Sequence, residues 1–248
     1  MGWLTINTKS NTLHMPVVIQ ALIPEKGKNF KVLYLLNPEG GDNTSWLLKT
    51  RIADYVENTD IAVIMPSGKN KYFVDNFHGR DYAKFVSEEL IEKTEQIFDV
   101  SRKKNDRYIA GASMGAYGAA AAALDNKDKY NTAFLFSGIL DIVKKYDTEK
   151  AENLYPVFGN RQDLINNNYD LVEKIKSTVD NETKFVINCG LDDKNIDENK
   201  KTARIMGDNL LNVSSIFEQG GHDWKYWDKC IERAIDIIKT GEQWYVSY

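Results

Sequence analysis

The chain has 248 residues, 42% of them hydrophobic and 27% charged, and its formal net charge is −4. This length and composition suit one folded domain and exclude a disordered chain and an integral membrane protein. Acidic and basic residues are interspersed, so no basic stripe indicates a nucleic-acid partner.

The N-terminal segment and the cysteines indicate where the protein works. MGWLTINTKSNTLHMPVVIQALIP lacks a basic stretch followed by an apolar one, so no signal peptide is predicted. No run approaches the roughly 18 apolar residues of a transmembrane helix. Cys189 and Cys230 match no metal or redox spacing, and a free pair suits a reducing compartment. We therefore expect a cytoplasmic protein that has no metal and no membrane partner.

Short apolar runs alternate with helical patterns along the chain. Strands are predicted at Val17–Pro24, Phe30–Asn37, Ile61–Pro66, 107–113, Thr132–Gly138, Lys184–Gly190 and Val213–Gly220. Helices are predicted at about 47–57, 82–98, 114–124, 169–178, 197–211 and 224–239. Such alternation implies one α/β domain over residues 1–248, with a mostly parallel sheet covered on both faces. The least regular region, about 140–167, is a candidate lid or substrate-facing insertion.

A serine lies at the centre of a small-residue turn. Gly111-Ala112-Ser113-Met114-Gly115 matches G-x-S-x-G, the nucleophile elbow, in which a strand turns sharply into a helix and exposes the serine hydroxyl. Side chains at the glycine positions would collide with neighbouring backbone. The alanine-rich helix that follows directs the positive end of its dipole toward a developing oxyanion. A simple packing turn is the alternative, but the strand and helix predicted on either side favour a nucleophile.

One histidine stands in the required chain order. A serine hydroxyl needs a neighbouring base, and in α/β-hydrolases the order is Ser, then Asp or Glu, then His. His14 and His78 precede Ser113, so His222, in the segment FEQGGHDW, is the candidate base.

The acid of such a triad should follow a strand between Ser113 and His222. CGLDDKN places Asp192 and Asp193 directly after a predicted strand. Either carboxylate would fix the imidazole tautomer and stabilise the imidazolium. The pattern alone leaves both aspartates open.

An oxyanion hole needs two backbone N–H groups. One belongs to Met114, directly after the candidate nucleophile. The other is expected in the loop LLNPEGGDNTSW after an early strand, where Gly40 and Gly41 let backbone approach a substrate. A plain turn is the alternative for this glycine pair.

These residues together resemble the esterase D-type branch of the α/β-hydrolases, above all its small tributyrin and acetyl esterase group, which is related to feruloyl esterases. The resemblance covers nearly the whole chain and is carried by KVLYLLNPEGGDNTSW, IAVIMPSGKNKYFVDNFHGRDYAKFVSEELIEKTEQIF, RYIAGASMGAYGA, CGLDDKN and GGHDWKYW. It implies the α/β-hydrolase fold, a mostly parallel central sheet with helices on both faces. It also implies Asp193 as the acid, because the acid of that group typically comes three residues after the glycine.

The resemblance assigns the second oxyanion N–H to Glu39, and it is here that the sequence departs from the family. The family commonly has His-Gly where this chain has Asn37-Pro38. Proline fixes a backbone angle and lacks an N–H, which bears on the geometry of the loop. A carboxylate side chain beside the hole would also repel anionic substrates.

The resemblance implies a serine carboxylesterase that hydrolyses short-chain acyl esters, among them acetylated or feruloylated sugars, by two-step acyl transfer without a cofactor. A small-molecule ester is the expected partner, and members of the group often self-associate into homo-oligomers. The alternatives are an S-formylglutathione-type thioesterase, an acyltransferase on the same triad, and a non-catalytic binding module. Retention of all three triad residues argues against the module. Aromatic side chains that could stack on a sugar or phenolic group are Trp46, Tyr72, Phe73, Trp224 and Trp227, although most aromatic residues in such positions belong to the packing of the core or its rim.

Overall fold

One sheet organises the part of the chain that the computed structural model describes, residues 1–148 and 151–241. Within these residues its eight strands are β1 (Gly2–Ser10), β2 (Met15–Ile23), β3 (Lys31–Leu36), β4 (Ile61–Met65), β5 (Arg107–Ala112), β6 (Thr132–Phe136), β7 (Lys184–Gly190) and β8 (Val213–Glu218). Their order is β1-β2-β4-β3-β5-β6-β7-β8. The β1–β2 and β2–β4 pairs are antiparallel, and the other pairs are parallel.

The seven predicted strands are present, and β1 is the strand that the sequence analysis did not predict. Strands β4 and β6 are buried along their whole length, as expected for continuous apolar runs in a sheet covered on both faces. Strand β1 lies at the edge of the sheet, and Trp3 and Leu4 on it are exposed. Because its sequence, GWLTINTKS, is mostly polar, it carries little of the apolar signal by which buried strands are recognised.

Helices cover both faces of the sheet. They are α1 (Ser45–Lys49), α2 (Ile52–Val56), α3 (Tyr82–Lys84), α4 (Leu90–Ile97), α5 (Met114–Asp125), α6 (Ile142–Thr148), α7 (Ala151–Phe158), α8 (Arg161–Asn166), α9 (Leu171–Ser177), α10 (Ile196–Asp208) and α11 (Trp224–Thr240). On one face α1, α2 and α11 bury Trp46, Ile52 and Ile231 in a shared core. On the other face the core includes Phe85, Ala119 and Ile175. No helix of the described ranges is long and apolar enough to cross a bilayer.

The predicted helix over 82–98 forms as one continuous helical stretch, in which a π-helical segment, Phe85–Glu89, joins α3 to α4. The carboxylate of Glu89 accepts hydrogen bonds from Ser10 Oγ (2.6 Å), Asn11 N (2.8 Å) and Thr12 N (2.9 Å). Burial raises the pKa of Glu89, but these hydrogen bonds outweigh it and lower the pKa to about 2. The charged side chain of Glu89 thus holds the β1–β2 turn against the helix.

The region at about 140–167, the least regular part of the chain by sequence, is largely helical, and its role as a lid or substrate-facing insertion stays a prediction. It contains α6, α7 and α8, while residues 149–150 lie outside the described part of the chain. Phe158 at the end of α7 packs edge-on against Tyr72 (5.1 Å), Tyr117 (6.0 Å) and Tyr169 (5.2 Å between ring centroids). Two of these partners, Tyr72 and Tyr117, lie far from Phe158 in the chain, so local sequence gave little sign of the helices.

Candidate active site

Ser113 occupies the turn between β5 and α5. Its backbone is left-handed, with φ 52° and ψ −113°, a strained conformation for a residue with a side chain. A Cβ on Gly111 would overlap the backbone of Gly115, and a Cβ on Gly115 would lie 2.5 Å from the carbonyl oxygen of Leu36. Glycine is therefore required at both positions, for the steric reason that the sequence analysis gave.

The structure brings Ser113, His222 and Asp193 into one hydrogen-bonded line. His222 Nε2 lies 3.1 Å from Ser113 Oγ. On the other side of the ring, His222 Nδ1 lies 2.9 Å from Asp193 Oδ2 and 3.1 Å from Oδ1. The side chain of Asp193 is fully buried, whereas that of His222 is 23% exposed. The imidazole therefore joins a buried carboxylate to a hydroxyl at the edge of the solvent.

Two loops in close contact carry the carboxylate and the imidazole. A Cβ on Gly190 would overlap the backbone of Gly220, and Asp192 N donates to Gly220 O at 2.9 Å. The carboxylate of Asp192 accepts a hydrogen bond from Gln219. Of the two aspartates that the pattern left open, the structure therefore places Asp193, and not Asp192, against His222.

The surroundings of Asp193 favour its ionised form. Burial raises the pKa of this carboxyl, but hydrogen bonds from His222, from Asn195 N (2.8 Å) and from Ser137 outweigh that effect and hold the pKa below its ordinary value. A negative charge thus faces Nδ1 of His222. It favours the tautomer in which Nδ1 carries the proton and Nε2 is free to accept one from Ser113.

Ser137 was not singled out by the sequence analysis. It follows β6 directly, is fully buried and has φ 52°. Its Oγ accepts a hydrogen bond from Trp227 Nε1 (3.2 Å), and the Trp227 ring meets the His222 ring edge-on at 5.1 Å between centroids. Its position at the carboxyl end of a central strand, beside the strand that carries the acid, is the signal that would have found it.

The suggestion that aromatic residues stack on the substrate is wrong for four of the five residues. Trp46, Phe73, Tyr72 and Trp227 are at most 5% exposed, so their faces are not open to a ligand. Trp224 is half-buried and packs edge-on against Trp46 and Trp227. These side chains contribute to the packing of the core around the site.

The two expected oxyanion donors lie on different elements. Met114 is the first residue of α5, so its N–H is among those without a partner inside the helix. Glu39 lies in a tight turn closed by Gly41 N donating to Pro38 O at 3.1 Å, with Gly40 at φ +75°. A left-handed glycine at the third position is typical of a type II turn.

A cavity of about 460 Å³ lies beside this turn. Gly40 and Gly41 form one wall, and Met15 and Val17 at the start of β2 form another. It lies at the carboxyl ends of β3 and β4, the same edge of the sheet as Ser113, although Ser113 is not part of its lining. Among the described residues no group of three or more His, Cys, Asp or Glu side chains is placed to hold a metal ion.

Comparison with known proteins identifies the family. Residues 10–235 match the family described as "Putative esterase". The chain belongs to this esterase family. The esterase is 31% identical over 263 residues to an acetyl esterase of Caldicellulosiruptor saccharolyticus, an alignment that covers 95% of this chain and 97% of that one.

Solved structures support the same assignment. Fluorophosphonate-binding serine hydrolase F of Staphylococcus aureus is similar with a TM-score of 0.84 and 25% identity, over 96% of the esterase and 98% of that chain. An S-formylglutathione hydrolase of Staphylococcus aureus is similar with a TM-score of 0.80 and 27% identity, over 96% and 99%. These findings confirm the predicted α/β-hydrolase fold and the predicted enzyme class, a serine hydrolase that acts on carboxylic ester bonds.

Proposed function

We propose that the esterase hydrolyses short-chain acyl esters through an acyl-enzyme formed on Ser113, with His222 as general base and Asp193 as the orienting acid. The observation that carries this proposal is the line of two hydrogen bonds, 3.1 Å from Ser113 Oγ to His222 Nε2 and 2.9 Å from His222 Nδ1 to Asp193. Nucleophile, base and orienting group are each within hydrogen-bonding reach of the next, the arrangement that activates a serine at neutral pH.

The reaction proceeds in two steps. His222 Nε2 takes the proton of Ser113 Oγ as the oxygen attacks the ester carbonyl carbon, and the carbonyl oxygen becomes an oxyanion. The bond to the alcohol oxygen then breaks, and His222 returns the proton to the leaving alcohol. Water attacks the acyl-enzyme by the same proton transfers, which releases the carboxylic acid and restores Ser113. Asp193 stays ionised throughout and stabilises the imidazolium.

In this proposal the N–H groups of Met114 and Glu39 hold the oxyanion. Donors that are already aimed at the place where charge develops need no reorganisation during the reaction, and one such donor contributes about 10²–10³ in kcat. No cofactor enters the chemistry.

Two features support neutral short-chain esters as the substrates. A relative at 31% identity is named an acetyl esterase, and an acetyl group is the kind of acyl group that the sequence analysis expected, on a sugar or another alcohol. The exposed carboxylate of Glu39 lies beside the proposed hole and disfavours anionic substrates.

Both cysteines are free and buried, which supports the proposed cytoplasmic location.

S-Formylglutathione-type thioesterase activity is the second candidate, because one similar structure is an S-formylglutathione hydrolase. Glutathione carries two carboxylates, so repulsion from Glu39 favours the neutral ester as substrate over this thioester.

Hydrolysis of p-nitrophenyl acetate, butyrate and octanoate by the wild type and by Ser113→Ala tests the proposal. We expect activity that is greatest on the shorter chains and absent from the variant. S-Formylglutathione assayed in parallel gives the comparison of ester with thioester. Activity that survives in Ser113→Ala would rule out the acyl-enzyme, and a preference for the thioester would select the second candidate.

A further inference from the structure

Asn37 is a fully buried amide at the carboxyl end of β3. Its Nδ2 donates to the carbonyl oxygens of Pro38 and Gly41, at 2.9 Å each, and its Oδ1 accepts from the N–H of Gly68 at 3.0 Å. One side chain thus joins both ends of the Pro38–Gly41 turn and ties the turn to the loop after β4. Proline supplies no N–H to this loop, and the amide of Asn37 supplies two donors there.

These contacts determine where the N–H of Glu39 points. A trans peptide group is planar, with its C=O and N–H directed oppositely. In the group between Pro38 and Glu39, the C=O end is held by the Asn37 amide and by Gly41 N at 3.1 Å. The N–H end, which belongs to Glu39, therefore points away from Asn37. The direction of that N–H follows from Asn37 even though the two groups share no hydrogen bond.

Asn70 holds the peptide group on the other side of Glu39. Gly40 N donates to Asn70 Oδ1 at 2.8 Å. Asn70 is exposed and has φ +58°, a left-handed conformation that asparagine and glycine adopt at low cost. Both peptide groups that flank Glu39 are therefore anchored by asparagine side chains.

The anchored turn lies against the serine elbow. A Cβ on Gly115 would meet the carbonyl oxygens of Leu36 at 2.5 Å and of Asn37 at 2.8 Å. The end of β3 thus touches the first turn of α5, where Met114 lies. A small rotation of the turn would change the geometry between the N–H of Glu39 and that of Met114.

We propose that Asn37 and Asn70 are positioning residues of the oxyanion hole, which fix the direction of the Glu39 N–H through the two peptide groups beside it. The inference rests on the proposed function, because it needs an oxyanion that forms between Met114 and Glu39. Neither asparagine touches the reacting atoms in this account. Their contribution is that the donor is already in place before the charge develops.

A pair of substitutions at Asn70 separates positioning from folding. Asn70→Gly keeps the left-handed backbone and removes the acceptor for Gly40 N, whereas Asn70→Asp keeps both. Asn58→Gly is the matched control, because Asn58 is also exposed, with φ +59°, and lies in the turn before β4. Asn37→Asp keeps the acceptor for Gly68 and replaces the amide donor by an oxygen. Wild type and Ser113→Ala are assayed beside them.

The readouts are kcat and KM on p-nitrophenyl acetate, the inhibition constant of phenylboronic acid and the melting temperature. Boronic acids form a tetrahedral adduct on a reactive serine, so their affinity reports on the oxyanion donors. We expect kcat to fall about 10-fold in Asn70→Gly and about 10²-fold in Asn37→Asp, with KM little changed. The inhibition constant should rise by similar factors. Asn70→Asp and Asn58→Gly should keep at least half of the wild-type kcat.

The outcomes distinguish this inference from the proposed function. If hydrolysis by the wild type does not depend on Ser113, the proposed function fails first. If it does depend on Ser113, the inference is overturned when Asn70→Gly matches Asn58→Gly in kcat, or when it raises only KM. If Asn37→Asp does not fold, the kcat values of Asn70→Gly and Asn70→Asp test the inference without it. Equal losses in Asn70→Gly and Asn70→Asp that added salt does not reduce would also contradict positioning by the acceptor, because salt screens the new charge of the aspartate.

Discussion

The turn around Ser113 is constrained by the absence of side chains at two glycines, whereas the Pro38–Gly41 turn is held by two asparagine side chains, one directly before the turn and one from the loop after β4. At the serine, the backbones of Gly111 and Gly115 are so close that no Cβ fits between them. At the other turn, the amides of Asn37 and Asn70 hold the peptide groups. Steric exclusion is local and leaves a short motif in the sequence. Hydrogen bonds to a turn come from wherever the fold supplies a partner.

Replacing Gly111 by alanine gives the largest expected effect and tests the steric half of this comparison. The new Cβ would overlap the backbone of Gly115, so the elbow must open and Ser113 must move away from His222. We expect ester hydrolysis to fall to the level of Ser113→Ala and the free energy of unfolding to fall by about 3 kcal/mol. A hydrolysis assay and a thermal melt measure both.

Gly207→Ala is the control for this substitution. Gly207 lies exposed in α10, where a Cβ would meet only Val213, at 3.9 Å. Gly207 is the penultimate residue of the helix, where the preference for alanine over glycine is smaller than in the middle, so this variant should be about as stable as the wild type and fully active. An active Gly111→Ala enzyme would show that the elbow tolerates a side chain and would contradict the steric explanation.

Asp193→Asn tests the charged part of the site, where hydrogen bonds orient the imidazole of His222. The amide has nearly the shape of the carboxylate but does not favour the tautomer with Nε2 free, so kcat should fall on the order of 10⁴-fold. Asp192→Asn, which changes the neighbouring carboxylate on the same loop, should remain within a few-fold of wild type. Comparable losses in the two variants would mean that the loop as a whole, and not the Asp193 carboxylate, supports His222.

Glu89→Gln tests how far the β1–β2 turn depends on the charge of Glu89, in contrast to the Pro38–Gly41 turn, which the neutral amides of Asn37 and Asn70 hold. The Glu89 pKa of about 2 lies below its ordinary value of 4.5, so its stabilisation is complete above about pH 4.5 and is lost as the pH falls toward 2. The substitution should lower the free energy of unfolding at pH 7 by about 1–3 kcal/mol. Denaturant unfolding at several pH values should show the gap from wild type narrowing below pH 4.5. A gap that is the same at pH 3 and pH 7, or that Glu88→Gln at the exposed neighbouring position reproduces, would contradict this role.

Trp227→Phe gives the smallest expected effect. The phenyl ring keeps the edge-on contact with His222 but loses the hydrogen bond to Ser137. We expect about a 5-fold loss of kcat, the consequence of one neutral hydrogen bond. Trp224→Phe is the control and should change kcat less. Equal effects would assign both tryptophans to packing alone.

The same contrast explains what the sequence alone could predict. The run GASMG, with an apolar strand before it and an alanine-rich helix after it, located Ser113 because its constraint is local. Chain order located His222, and glycine spacing in related enzymes favoured Asp193. The role of Asn70 could not be predicted because its partner, Gly40, lies 30 positions away in the chain. Asn37 was noted only as a departure from the family, because its hydrogen bond with Gly68, across 31 positions, is likewise set by tertiary structure. The helices within 140–167 were missed for a similar reason, since Phe158 finds its neighbours in three separate segments.

The central claim is that an ester acylates Ser113, and rapid quenching followed by mass spectrometry tests it most directly. The esterase is mixed with p-nitrophenyl acetate, quenched in acid within the first turnover and digested, and the acetylated peptide is sequenced. We expect one acetyl group, on Ser113, that appears with the burst of p-nitrophenol and is absent from Ser113→Ala. Hydrolysis without an acyl-enzyme on this peptide, or an acetyl group on another side chain that turns over at the rate of the reaction, would contradict it.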